Sequence, residues 1–190
     1  RPIDQDTLFP IWSMTKPVTS LAAMILHEQG FFQLDDPVSK VIPALDKLQV
    51  KTKKGFVPLN RSITYRDLLL HTSGIAGYDG SFDQEGTWKE VMELDHLEGL
   101  IDLLISKPLE HQPGERHTYG LSTAVLGHAI EKHAGQSLDV FFRERIFEPL
   151  DMHRTQFHLA PDDRRQFQPL FVDQGGKFRI GTPKEDELYY

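Results

Sequence analysis

From Ser13 to Gln29 the apolar residues Val18, Leu21, Ala22, Ile25 and Leu26 recur at three- and four-residue spacing, which predicts a helix with one apolar face. Gly30 stands where such a helix stops. Pro17 constrains this segment most. Proline has no N–H and damages a helix interior, so Pro17 must fall in the first turn, where that donor has little or no intrahelical partner. Ser13 is thereby placed at or beside a helix N-terminus.

Shorter elements follow. Asp35-Asp36-Pro37 offers an Asp cap with Pro at the first helical position, predicting a short helix to about Ile42 before Pro43. Leu48 to Leu59 fits a small β-hairpin with Gly55 in the turn, and Lys51, Lys53 and Lys54 read as its solvated tip rather than a phosphate site. Thr64 caps a helix through Leu70, ended by His71-Thr72-Ser73-Gly74. A Gly- and Asp-rich loop over Ile75 to Gly86 leads to helical patterns at Thr87–Leu94 and His96–Ser106. The segment from Lys107 to Thr118, with Pro108, Pro113 and Gly114, should be irregular and deliver Tyr119 to the mouth of a helix over Leu121–His133, closed by Gly135. Ser137 caps a further helix, Leu138–Phe147. Beyond Pro149, Thr155–Leu159 and Leu170–Val172 read as extended, with Gly175-Gly176 as a hairpin turn before Lys177–Ile180.

Composition narrows the function classes. At 190 residues, 39% hydrophobic and 26% charged, the chain is in the range of one globular domain. Its 28 acidic against 21 basic residues give a net charge of -7, and the basic ones are scattered, which argues against nucleic acid as a partner. Cysteine is absent, so there is no disulfide, thiolate nucleophile or Cys-ligated zinc, although this leaves the compartment open. The nine histidines show no H-E-x-x-H spacing. The longest apolar stretches, such as Leu21–Leu26 and Leu100–Ile105, fall short of the roughly 20 residues that cross a bilayer. The sequence opens on Arg1 rather than Met, which suggests a start downstream of the natural one.

Ser13-Met14-Thr15-Lys16 is an S-x-x-K tetrad whose spacing puts hydroxyl and ammonium on one helical face. A serine needs a neighbouring base to take its proton, and a lysine partly desolvated at a helix N-terminus can serve. The helix terminus and the Ser13 N–H also suit a developing oxyanion. On spacing alone an N-capping Ser beside an exposed Lys is the stronger reading. His71 reads as a structural residue of its turn, and Asp35 with Asp36 as a cap and turn rather than an acid/base dyad.

Further blocks carry a resemblance. Phe9-Pro10-Ile11-Trp12-Ser13-Met14-Thr15-Lys16-Pro17-Val18-Thr19 resembles the nucleophile motif of the serine β-lactamase and penicillin-binding-protein superfamily, in the branch of class C β-lactamases and family VIII carboxylesterases. Leu34-Asp35-Asp36-Pro37-Val38, Ile63 to Gly74 with its Leu69-Leu70-His71-Thr72-Ser73-Gly74 run, Pro113-Gly114 with Tyr119, and Leu126-Gly127 through Pro149-Leu150-Asp151-Met152 are similar to its later blocks, in order, with Asp151 where Gly is usual. Five ordered blocks over Phe9 to Phe157 are far more specific than one tetrad.

The resemblance implies an α+β, β-lactamase/transpeptidase-like fold in which an antiparallel sheet packs beside a helical subdomain. Members are longer than this chain, so residues 1–190 should form an incomplete, mostly helical domain lacking much of the sheet: about 1–30 the nucleophile helix region, about 31–152 the helical subdomain and about 153–190 the start of returning strands. It also implies Ser13 as nucleophile, with Lys16 and Tyr119 sharing its proton, in acyl-enzyme chemistry on a small-molecule ester or amide with no metal or organic cofactor. Leu121 replaces the Asn that class C β-lactamases carry two residues after the tyrosine, which favours a short-chain carboxylesterase. A β-lactamase or D-Ala-D-Ala peptidase is the alternative, and a non-catalytic scaffold a third. The family's third motif, Lys/His-Thr/Ser-Gly or Trp-Gly-Gly, is not found; His133-Ala134-Gly135 has its letters but falls at a helix end. Without the remaining strands the face bearing Val18, Leu21 and Ile25 would be wet, so self-association of the chain is a further expectation.

Overall fold

Pro17 decides how the first helix begins. In a computed structural model, which describes residues 3–75, 94, 96–159, 163, 168, 171–173 and 175–180, helix α1 spans Thr15–Glu28. An α-type bond from residue 17 to the Ser13 carbonyl cannot form, and the chain enters α1 through a tight 3-10 turn, Trp12–Met14, with the Met14 N–H on the Ile11 carbonyl at 2.9 Å. Ser13 thus precedes the α-helix instead of opening it. The other end is a Schellman cap: Gly30 takes φ 83°, its N–H reaches the His27 carbonyl at 2.9 Å, and the Phe31 N–H reaches Leu26 at 3.1 Å. The buried stripe is turned from the expected one toward Thr19, Ala22, Ala23 and Leu26, while Leu21 stays 46% exposed.

The chain divides into two compact units, one of Lys16–Phe141 and one of Arg1–Thr15 with Phe142–Tyr190. In the first, 3-10 turns Val38–Lys40 and Pro43–Lys47 precede the antiparallel hairpin of β1 (Gln49–Thr52) and β2 (Gly55–Pro58), with Val50 facing Val57. Lys51, Lys53 and Lys54 are exposed at its tip. The helix expected to start at Pro37 is reduced to that first turn. Pro37 lies outside it in extended conformation (φ -64°, ψ 128°), bridging to Thr64, because Asp36 does not cap. Its carboxylate instead accepts the Gln33 N–H at 2.8 Å and Lys40 Nζ at 2.6 Å, and Asp35 pairs with Arg66 at 2.7 and 2.9 Å.

Three helices then build the core: α2 (Tyr65–Leu69), α3 (Leu97–Ile105) and α4 (Ser122–Ala134). α4 packs against both others and is buried almost all round over its first nine residues, with Val125, Leu126, Ala129 and Ile130 at most 1% exposed. Burial of Val125, Leu126 and Ile130 contributes about 1.5–3 kcal/mol each. Gly135 ends α4 at φ 66°, as expected; at the start of α5 (Leu138–Phe142) the Leu138 N–H donates to Glu131 at 2.9 Å and the Phe141 N–H to the Ser137 carbonyl at 3.0 Å. The expected helix over Thr87–Leu94 and the loop before it lie almost wholly outside the described residues.

In the second unit a π turn, Arg143–Phe147, follows α5, with the Glu148 N–H on the Arg143 carbonyl at 2.8 Å. Phe142 rings with Phe147 and Phe157 at 5.9 and 5.4 Å. Asp151 has φ 55°, the left-handed region where Gly is at ease and Asp tolerated, which accounts for Gly being usual there in the resembled block. Thr155–Leu159 is irregular with a bend at Phe157 and His158, not a strand. Strands β3 (Phe171–Asp173) and β4 (Phe178–Ile180) pair antiparallel across Gly175-Gly176, both at positive φ. Among the described residues no helix is long and apolar enough to cross a membrane.

Candidate active site

Each candidate side chain is positioned by a local device. Ser13 lies exposed in the turn leading into α1, after Trp12, whose φ of 43° is left-handed for a residue with a bulky side chain. Lys16, half-buried, is in the first turn of α1. Tyr119 is 41% exposed and sits just before α4, for which Leu121 is the N-cap.

Distant in sequence, Lys16 and Tyr119 meet: Lys16 Nζ lies 4.9 Å from the centre of the Tyr119 ring, within cation–π range. The Tyr119 ring also stacks on His71, with centroids 5.0 Å apart and planes at 28°. The contact gives His71 a partner beyond the turn role its sequence position suggests. The available signal was its place in the His71-Thr72-Ser73-Gly74 run. Gly120 N–H donates to His71 Nδ1 at 3.4 Å, and His71 Nε2 lies 3.3 Å from Thr123 Oγ1. Burial, followed by the neighbouring His117 and Lys16 charges, holds the His71 imidazole below its ordinary value.

The turn carrying His71 is held from behind by Asp67, which is 4% exposed. Asp67 and Thr64 form a capping box on α2, with Thr64 N–H on Asp67 Oδ2 at 2.9 Å and Asp67 N–H on Thr64 Oγ1 at 3.2 Å. Arg61 donates twice to the same carboxylate, at 2.6 and 2.8 Å, and the Thr72 hydroxyl once at 3.0 Å. Burial pushes the Asp67 carboxyl up, but Arg61 and Thr64 outweigh it and keep it below its usual value. Beneath α4, the buried Ser73 and Ser122 hydroxyls join at 2.9 Å.

Two other residues singled out by the sequence have different surroundings. Leu121 is only 9% exposed, so it presents little surface to any substrate. His133 lies in the last turn of α4 and is bonded through Nε2 to Tyr65 Oη at 2.6 Å, among Phe31 and Phe32. Burial alone lowers its proton affinity. Among the described residues no group of three or more His, Asp or Glu converges to hold a metal ion.

Comparison with known proteins places these residues in context. The family model described as Beta-lactamase matches residues 1–190. Protein Rv1367c of Mycobacterium tuberculosis is 34% identical over 192 residues, covering 96% of this chain and 48% of that protein. Esterase EstB of Burkholderia gladioli is 32% identical over 170 residues, covering 86% of this chain and 42% of the esterase. Among solved structures, EstCE1, a hydrolase with promiscuous acyltransferase activity, superposes with a TM-score of 0.80 at 30% identity, over 96% of this chain and 47% of that one. The chain therefore has the β-lactamase/transpeptidase-like fold and spans about half the length of the relatives it matches.

Proposed function

Because the chain belongs to the Beta-lactamase family, we propose that the protein it represents is a serine hydrolase that works through an acyl-enzyme on Ser13, with short-chain carboxylic esters as substrates. The observation that carries this reading is the Lys16–Tyr119 contact, which puts a cation against the phenol that must move a proton. In the acylation step the pair starts one proton short, as the Lys16 ammonium beside the Tyr119 phenolate; Ser13 Oγ attacks the ester carbonyl carbon and its proton passes to the phenolate oxygen. The pair then protonates the departing alkoxide, leaving an acyl-Ser13 ester and free alcohol. Water, deprotonated by the same pair, attacks the acyl carbon, and Ser13 Oγ leaves with the proton. The replacement of a hydrogen-bonding Asn by the apolar Leu121 and the likeness to EstB, named an esterase, support the ester preference over β-lactam or peptide hydrolysis.

The test uses the whole protein. A fluorophosphonate should label Ser13, and p-nitrophenyl butyrate should turn over faster than nitrocefin. Ser13→Ala should lose labelling and at least about 10³-fold in turnover. Labelling of a different serine, or a Ser13→Ala variant with wild-type turnover, defeats the proposal; preferential nitrocefin hydrolysis would select the β-lactamase alternative.

A further inference from the structure

We propose that His71 is a positioning residue for Tyr119, holding the phenol in place through ring stacking and through the backbone of the next residue; this rests on the function proposed above. The case begins with backbone geometry. His71 follows Leu70, the C-cap of α2, and the bonds around it form a Schellman motif: His71 N–H to the Leu68 carbonyl at 3.3 Å and Thr72 N–H to the Asp67 carbonyl at 2.8 Å. The residue at that position turns left-handed and is usually Gly, yet His71 holds φ 54° there. A side chain kept against such strain calls for something the ring does that Gly cannot.

What the ring touches supplies it. One face stacks on Tyr119, Nδ1 accepts the N–H of Gly120, and Nε2 meets the Thr123 hydroxyl in the first turn of α4. The His71 carbonyl also receives the Thr118 N–H at 2.8 Å, so the residues on both sides of Tyr119 are tied to this one histidine. With Nδ1 accepting, the neutral ring carries its proton on Nε2 and donates toward Thr123. The groups that bear on its charge are Lys16 on α1 and His117 on the segment before Tyr119, and both oppose its protonation. A neutral imidazole is what the arrangement needs, because a proton on Nδ1 would remove the acceptor from the Gly120 N–H.

Two variants compatible with φ 54° separate positioning from folding. His71→Gly removes the ring while relieving the backbone, and His71→Asn tolerates the left-handed turn and returns an oxygen acceptor near the Gly120 N–H. In the whole protein, with p-nitrophenyl butyrate, both should keep the wild-type thermal midpoint within a few degrees. His71→Gly should lower kcat by about 10- to 100-fold, the scale of a misplaced catalytic group, with KM changed less than about threefold, and His71→Asn should recover part of that loss. Wild-type kcat in His71→Gly overturns the inference. So does a raised KM with kcat unchanged, or a kcat loss that tracks a fallen midpoint in both variants. Ser13→Ala and Tyr119→Phe run alongside. If those two keep full turnover the proposed function itself fails, a result distinct from silence at His71 alone.

Discussion

Replacing Asp67 by Asn changes almost no volume, yet it should be among the more damaging single substitutions in the chain. The carboxylate accepts from Arg61 Nη1, the Thr64 N–H and the Thr64 hydroxyl on Oδ2, and from Arg61 Nη2 and the Thr72 hydroxyl on Oδ1. Asparagine offers one oxygen and one NH2, so whichever way the amide turns, a donor group faces two or three donors. Losing the charge-assisted bonds costs about 1.5–3 kcal/mol where the partner is buried, and the weakened capping box about 1 kcal/mol more. The Arg61 side chain is 43% exposed and can turn to water, which discounts the first figure. We expect a net loss of about 2–3 kcal/mol in urea unfolding of the whole protein, a large part of the ~5–15 kcal/mol that holds a domain. The sign of the pH dependence provides an internal check. Because the folded carboxyl lies below its ordinary value of 3.8, its contribution is present above that pH and is lost as pH falls through the lower folded-state value. The gap between wild type and Asp67→Asn should therefore be constant near neutrality and close only below about pH 4. A gap under about 0.5 kcal/mol at pH 7, the scale of ordinary surface substitutions, would refute the reasoning.

Two further outcomes follow from buried geometry. Gly74→Ala should cost more than about 3 kcal/mol, since φ is +81° and a Cβ would run into the His111 backbone carbonyl, which cannot move aside like a side-chain tip; retention of the wild-type urea midpoint would contradict this. His71, His128 and His133 are all held below the usual 6.5, each first by burial, with His117 and Lys16 adding to it at His71 and Lys132 at His128. The unfolded chain then binds more protons below pH 6.5, so the urea midpoint should be level above about pH 7.5 and fall between pH 6.5 and 5. A midpoint that rises on acidification through that range runs against the assignment.

The sequence by itself determined the punctuation of the chain. Gly30 and Gly135 close α1 and α4 because left-handed caps need no Cβ, Thr64 opens α2 because its hydroxyl reaches the Asp67 N–H, and the Gly175-Gly176 turn sets the β3–β4 pairing. Each of these depends on residues within a few positions of one another. It also made the family legible, since five short blocks in order restrict the choice far more than any single spacing. Tertiary structure decided what depends on distant partners. Asp36 was free to cap Pro37 in sequence terms, but Lys40 and the Gln33 N–H claimed its carboxylate. The face of α1 that becomes buried carries Thr19, Ala22, Ala23 and Leu26 while Leu21 stays exposed, a choice set by what packs against the helix and not by its own periodicity. His71 reads as turn filler in the sequence because its informative contacts are with residues far along the chain, and no local pattern records that the Tyr119 ring meets both His71 and Lys16.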